Sequence, residues 1–279
     1  MQVFIAGCGT MGSGIIQTFA VAGHDVYMYD IKQEFVDRGY DRIDKQLKRQ
    51  VEKGRMTQED ADASMARLHK TVQLEDAKNA DLVLEAIFED MSVKRELFGQ
   101  LDQITGPDCL FLSNTSSLSV TEMAHGYAHE SNFLGFHFFN PAPVMKLIEI
   151  IRAANTSDAA VEKAKEIASA IGKTPVLVNE SPGFVVNRIL IPMINEAIDL
   201  VDRGVASPED IDTAMQLGAN HPMGPLALGD LIGLDIVLDI MEVLYHETGD
   251  SKYRPSPLLK RMVRAGKLGR KTQEGFYTY

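Results

Sequence analysis

The first thirty residues constrain this chain more than any other stretch. Residues 1–6 are a short apolar run rich in β-formers and read as a buried strand. Gly7-Cys8-Gly9-Thr10-Met11-Gly12 follows as a G-x-G-x-x-G, then residues 13–22 at helical spacing, then a second β-rich run at 26–29 that ends on Asp30. Strand, glycine turn, helix, strand and acid is the order that dinucleotide binding requires. Gly7 permits the tight turn, Gly9 lets the backbone approach a pyrophosphate, and Gly12 lets the helix pack close to the strand. The helix N-terminus offers free N–H groups to the phosphates. Asp30 follows Gly12 at the spacing where a carboxylate accepts hydrogen bonds from the adenosine ribose. Its charge also disfavours the 2′-phosphate of NADP, so NAD is the expected cofactor. The competing reading is a glycine loop that serves only helix–strand packing.

At 279 residues the chain has room for one large domain or two ordinary ones. No apolar run of membrane-spanning length occurs, and Met1 stands almost directly before the first strand. A cytoplasmic protein is expected, with no membrane partner. Cys8 and Cys109 have no metal-ligand spacing and read as small apolar fillers in a reducing compartment; no metal is expected. A net charge of −11 argues against a general nucleic-acid binder while leaving room for a local basic site.

After Asp30, about forty charged residues replace the usual crossover. Phe35, Ile43, Leu47 and Val51 mark one face of a helix over 32–53, and Thr57 with Asp60 reads as a capping box for a second helix running to about residue 68. This is read as a helical hairpin projecting from the nucleotide domain. Lys45, Lys48, Arg49, Lys53 and Arg55 cluster on it: a solvated face on the bland reading, a clamp for a phosphorylated substrate on the functional one. Further strands are expected at 81–87, 110–112, 132–138, 147–151 and 175–179, with helices at 93–104, 120–124 and 157–171. Ser113-Asn114-Thr115-Ser116-Ser117 lies at a strand end, where doubly wound sheets bind ligands. His137 and Glu149 each stand in an otherwise apolar run. Either alone reads as a core or edge residue; together they make a His–Glu pair plausible. At Ser181-Pro182-Gly183 the β-rich runs stop, and helices are expected over 184–201, from Ser207, over 234–245 and over 257–264. The expected division is 1–182 and 183–279.

These residues resemble one family. Ser113-Asn114-Thr115-Ser116-Ser117, His137-Phe138-Phe139-Asn140-Pro141, Pro182-Gly183-Phe184-Val185-Val186-Asn187-Arg188, His221-Pro222-Met223-Gly224-Pro225, Gly269-Arg270-Lys271-Thr272 and Gly275-Phe276-Tyr277 are similar in order and spacing to the short-chain L-3-hydroxyacyl-CoA dehydrogenases. The likeness covers the whole chain and is strongest toward bacterial members that act on four-carbon thioesters. It implies an α/β fold: an N-terminal Rossmann-type NAD-binding domain carrying the helical hairpin, and an all-helical C-terminal domain for substrate binding and dimerisation. It implies interconversion of (S)-3-hydroxyacyl-CoA and 3-oxoacyl-CoA by a homodimer or larger homo-oligomer. His137 matches the catalytic histidine and Glu149 its acidic partner. Ser116 and Asn187 match residues that hold the substrate's oxygens, Asn114 one beside the nicotinamide, and Asp30, Glu89 and Lys94 cofactor contacts. The basic cluster then reads as a coenzyme A clamp, led by Lys48 and Lys53.

The residue types suit hydride transfer coupled to proton transfer. A histidine titrates near neutrality and serves as donor or acceptor, and a carboxylate at its other nitrogen fixes the tautomer. Two alternatives stand beside this one: a dehydrogenase of a free hydroxy acid such as L-gulonate, and a non-catalytic NAD-binding protein.

Overall fold

Val3 to Ala6 have no polar side chain and are completely buried, as a strand covered on both faces requires; with Gln2 they form β1 (Gln2–Ala6). The computed structural model describes all 279 residues, in two units, Met1–Glu180 and Ser181–Tyr279. The first unit is built on an eight-stranded sheet in the order β3-β2-β1-β4-β5-β6-β7-β8. Its strands are β2 (Asp25–Tyr29), β3 (Leu68–Thr71), β4 (Leu82–Glu85), β5 (Leu110–Ser113), β6 (Phe133–Phe138), β7 (Leu147–Arg152) and β8 (Thr174–Asn179). All neighbours pair parallel except β6 and β7, which are antiparallel. The first six strands therefore end on one edge of the sheet, and the loops that follow β1, β2, β4 and β5 gather there.

The helices of this unit are α1 (Thr10–Val21), α2 (Gln33–Glu52), α3 (Gln58–Ala66), α4 (Met91–Asp102), α5 (Val120–Ala124) and α6 (Asp158–Ala170). The pattern places α2 and α3 well, and the Thr57 side chain caps α3 by accepting from the Asp60 N–H. Two details differ from expectation. The hairpin is the connection between β2 and β3, a strand absent from the sequence reading. Leu68-His69-Lys70-Thr71 is short, lies at the sheet edge and exposes its two central residues, so it has neither the length nor the apolar run of a buried strand. The hairpin buries Ile43 and Leu47 and packs Val51 against the core as expected, but Val36 takes the place of Phe35 on that stripe. Phe35 lies beneath the cations of Lys32 and Arg38.

The second unit is helical: α7 (Val186–Asp202), α8 (Pro208–Ala219), α9 (Pro225–Ile232), α10 (Leu234–Thr248) and α11 (Pro257–Arg264). Ser207 caps α8 through the Asp210 N–H, as its motif implies. The proline-rich turn after His221 leads straight into α9, a helix the sequence reading lacked. Ile191, Ile194, Ile198, Leu234, Val237, Met241 and Leu244 make a core of their own. Two buried carboxylates organise the remainder. Asp212 accepts from the first N–H groups of α9, at Leu226 and Ala227, and from the Tyr277 hydroxyl. Asp230 accepts from the Phe276 and Tyr277 N–H groups and the Tyr279 hydroxyl. A side chain at Gly275 would strike the Asp230 carboxylate, 2.1 Å from Oδ1. The C-terminal Gly-Phe-Tyr motif is thus a latch closed on Asp230. No helix is long and apolar enough to cross a membrane.

Candidate active site

The glycine turn after β1 separates the three roles expected of its glycines. Gly7 has φ +106°, a left-handed conformation that only glycine adopts readily, and a Cβ there would sit 2.4 Å from the Ala86 carbonyl oxygen. A Cβ on Gly12 would lie 1.8 Å from the Gly7 carbonyl oxygen. Gly9 has an ordinary φ of −66° and open space where its Cβ would be. The protein's own packing explains Gly7 and Gly12. At Gly9, the N-cap of α1, packing requires no glycine, and the open space leaves room for a pyrophosphate against the helix N-terminus. Thr10 and Met11 form the first turn of that helix. Asp30, partly exposed at the end of β2, accepts from the Cys8 N–H at 2.9 Å and the Ile31 N–H at 2.8 Å. It ties the turn to the second strand and leaves lone pairs for a diol. These residues fit a dinucleotide. Burial pushes the Cys8 thiol up to about 12, with Asp30 adding to it, and burial does the same at Cys109. Both are inert fillers at neutral pH.

At the ends of β4 and β5 one cation joins two carboxylates. Glu85 and Lys94 are fully buried and form an ion pair, and Glu89 Oε2 lies 3.2 Å from the same ammonium. Glu85 also accepts from the Ile87 N–H and the Ser113 hydroxyl, both at 2.7 Å. Glu89 Oε1 accepts from the Thr115 hydroxyl at 2.6 Å and the N–H groups of Ser116 at 2.8 Å and Ser117 at 3.2 Å. Burial alone would raise the Glu89 pKa; the Lys94 charge and these hydrogen bonds outweigh it and hold it below the usual carboxylate range. Lys94, expected at the cofactor, is here the buried partner of two acids, so an influence on the cofactor would pass through Glu89. Glu85 was missed. An acid in an otherwise apolar run is the same signal that singles out Glu149, and the 82–85 strand carries it in Glu85.

His137 and Glu149 face each other directly across the antiparallel β6–β7 pair, and the Nδ1 to Oε2 distance is 2.9 Å. Both side chains are buried, at 7% and 1% exposure. The register therefore excludes the reading of Glu149 as an exposed edge acid: β7 lies between β6 and β8. With a carboxylate accepting at Nδ1, that nitrogen carries the hydrogen and Nε2 is the basic atom of the neutral ring. The Phe139 ring packs on the imidazole, centroids 4.6 Å apart. Asn114 Oδ1 accepts from the Phe138 N–H at 2.9 Å, which joins the end of β5 to the strand that carries His137. The structure thus brings Ser116, Glu89 and Lys94 into one network, while the Asn114 side chain is tied to the strand of His137. Asn187 stands in the first turn of α7, in the second unit, and Lys48 and Lys53 lie exposed at the far end of α2. Lys48 is paired with Asp44 at 2.7 Å.

Comparison with known proteins bears on the whole length. Residues 2–181 match the family model of the 3-hydroxyacyl-CoA dehydrogenase NAD binding domain, and residues 183–279 match that of the 3-hydroxyacyl-CoA dehydrogenase C-terminal domain. The 3-hydroxybutyryl-CoA dehydrogenase of Clostridioides difficile is 52% identical, with 100% of this chain and 99% of that one covered. The human mitochondrial hydroxyacyl-coenzyme A dehydrogenase is 42% identical over 100% of this chain and 91% of its own. Among solved structures, the (S)-3-hydroxybutyryl-CoA dehydrogenase of Ralstonia eutropha superposes with a TM-score of 0.97 at 47% identity, covering 100% of this chain and 98% of that one.

Proposed function

We propose, from the premise that the chain belongs to the 3-hydroxyacyl-CoA dehydrogenase family, that it interconverts (S)-3-hydroxybutyryl-CoA and acetoacetyl-CoA with NAD. The observation that carries this reading is the buried His137–Glu149 pair. The dinucleotide would supply the hydride as NADH or accept it as NAD+, and the protein handles the proton. In the reductive direction the His137 imidazolium donates from Nε2 to the 3-oxygen; in the oxidative direction neutral Nε2 takes that proton back. Glu149 holds the ring in one tautomer and stabilises the imidazolium.

The remaining assignments belong to the same proposal. Ser116 and Asn187 hold the oxygens of the substrate. The Asn114 amide oxygen is committed to the Phe138 N–H, so toward the cofactor this side chain acts as a donor. Asp30 receives the adenosine ribose and disfavours NADPH; Glu89 is the second cofactor acid, with Lys94 behind it. Lys48 and Lys53 attract the phosphates of coenzyme A, and Lys53 contributes more because Asp44 compensates Lys48. The helical unit mediates pairing of at least two copies, a reading supported by exposed Ile189, Val205 and Leu217. A reducing cytoplasm is the proposed location, supported by two buried free thiols.

The test is NADH oxidation with acetoacetyl-CoA set against free acetoacetate, and NAD reduction with 3-hydroxybutyryl-CoA set against L-gulonate. The thioesters should be preferred by orders of magnitude in kcat/KM, and Lys48→Ala with Lys53→Ala should raise the acyl-CoA KM most at low salt. Comparable efficiency on the free acids would overturn the substrate assignment.

A further inference from the structure

We infer that Lys173 is a positioning residue for this reaction: its buried ammonium fixes the loop of residues 139–146, which keeps Phe139 against the His137 ring and packs on the cofactor helix.

The loop connects the strands that carry His137 and Glu149. Its outer side faces solvent, with Val144 68% and Met145 41% exposed. Packing on that side therefore does not hold it. One turn closes it locally, with the Val144 and Met145 N–H groups donating to the Pro141 carbonyl. Beneath it, Lys173 Nζ donates to the Ala142 carbonyl at 2.6 Å and the Met145 carbonyl at 2.8 Å. Lys173 itself is 8% exposed. Its backbone is pinned on both sides: its N–H donates to Ala168 in α6, and the next N–H, of Thr174, donates to Lys146 and opens the β7–β8 pairing.

Burying an ammonium on two neutral carbonyls is costly, because a lysine in water keeps its full hydration. Burial is the cause acting on this group, and it lowers the pKa. A scaffold needing only apolar filling there would be better served by methionine. The two carbonyls belong to the segment that touches both halves of the chemistry. Phe139 packs on the imidazole, and Ala142 and Pro143 come so close to α1 that a Cβ on Gly14 would lie 3.2 and 3.1 Å from their side chains. The loop thereby spans from the proton-transfer residue to the helix whose N-terminus holds the glycine turn, and Lys173 sets its height above the sheet.

The inference rests on His137 being the acid–base group, so the experiment carries one readout that does not. Lys173→Met keeps the apolar stem and removes the donors; Lys173→Arg keeps charge and donors. By hydrogen exchange with mass spectrometry, residues 139–146 should exchange about tenfold or more faster in Lys173→Met than in the wild type. Its kcat with acetoacetyl-CoA should fall about tenfold, since small misplacements of reacting groups are expensive, while KM for NADH and for the thioester stays within about threefold. Lys173→Arg should recover most of the kcat. Should Lys173→Met fail to fold, Lys173→Gln, which retains an amide donor, is measured against Lys173→Arg, and the same ranking is expected. Unchanged loop exchange, or faster exchange and lower thermal stability with kcat intact, overturns the proposal. A wild type that does not reduce acetoacetyl-CoA overturns the functional reading instead, while the exchange comparison still judges the clamp.

Discussion

The two units bury carboxylates for different ends. In the first, Glu85 faces an ammonium and Glu149 an imidazole, basic groups that can take and release a proton. In the second, Asp212 and Asp230 face backbone N–H groups and tyrosine hydroxyls. A carboxylate among backbone amides and tyrosine hydroxyls faces donors that keep their protons near neutrality, and it acts as a fastener. A carboxylate against an imidazole shares its site with a proton that can leave, which is what the chemistry proposed for His137 and Glu149 needs. Burial and hydrogen bonding are alike in the two cases, so neither marks a functional acid by itself; an imidazole partner is a further requirement but not a sufficient one, since Asp102 has one in His129.

The largest test of that contrast is at the imidazole. His137→Gln should lower kcat about 10²–10⁴-fold, the usual contribution of a general acid–base group, with NADH affinity by fluorescence titration nearly unchanged. Near-wild-type turnover would assign the proton to some other group. Next is its opposite in the second unit. Asp230→Ala leaves the Phe276 and Tyr277 N–H groups without their acceptor and should cost about 3 kcal/mol in denaturant unfolding. Its kcat, measured where the variant is fully folded, should stay within about twofold; a large loss would mean that the fastener also acts in catalysis.

A third test separates packing from ligand binding within the glycine turn. Gly9→Ala meets no protein atom and has an ordinary φ, so thermal stability should change little, the poorer N-cap offsetting the stiffer unfolded chain. NADH should nonetheless bind about tenfold more weakly, a difference of about 1.4 kcal/mol. Equal affinity would show that the open space is not where the pyrophosphate passes.

The smallest effect sharpens the comparison with an acid of mixed kind. Asp102, in the first unit, accepts from the His129 ring at 2.6 Å and from the Ala128 and His129 N–H groups at 3.1 Å. Burial would raise its pKa, but these hydrogen bonds win and hold it below the usual value. A depressed carboxylate stabilises the fold above its unfolded pKa, about 3.9 for aspartate, and loses that contribution as pH falls through the lower folded value. Asp102→Asn should therefore cost about 1 kcal/mol at pH 5–7, and the gap to the wild type should close below about pH 4. A gap that persisted to low pH would point to packing rather than charge.

Most of the architecture is legible residue by residue, because continuous apolar runs and capping residues act locally. Every strand buried in the sheet interior was legible as an apolar run, and Thr57, Ser157 and Ser207 cap the helices they precede. The sequence also supplied the candidates: the glycine turn, Asp30, His137 and Glu149. Two elements escaped it. Strand β3 is stabilised by pairing with β2 rather than by its own composition, and α9 begins within a proline-rich turn whose capping acid, Asp212, comes from the preceding helix. Which polar residues meet depends on the folded chain. His137 and Glu149 are twelve positions apart, and the antiparallel register sets them face to face; a slip of one residue would turn one of the pair to the other side of the sheet. Glu85, Lys94 and Glu89 converge because a strand end and a helix start bring them to one point, and Lys173 reaches its loop across a strand pair. Local chemistry is written residue by residue, whereas proton partners depend on register and on how far the chain has travelled before it returns.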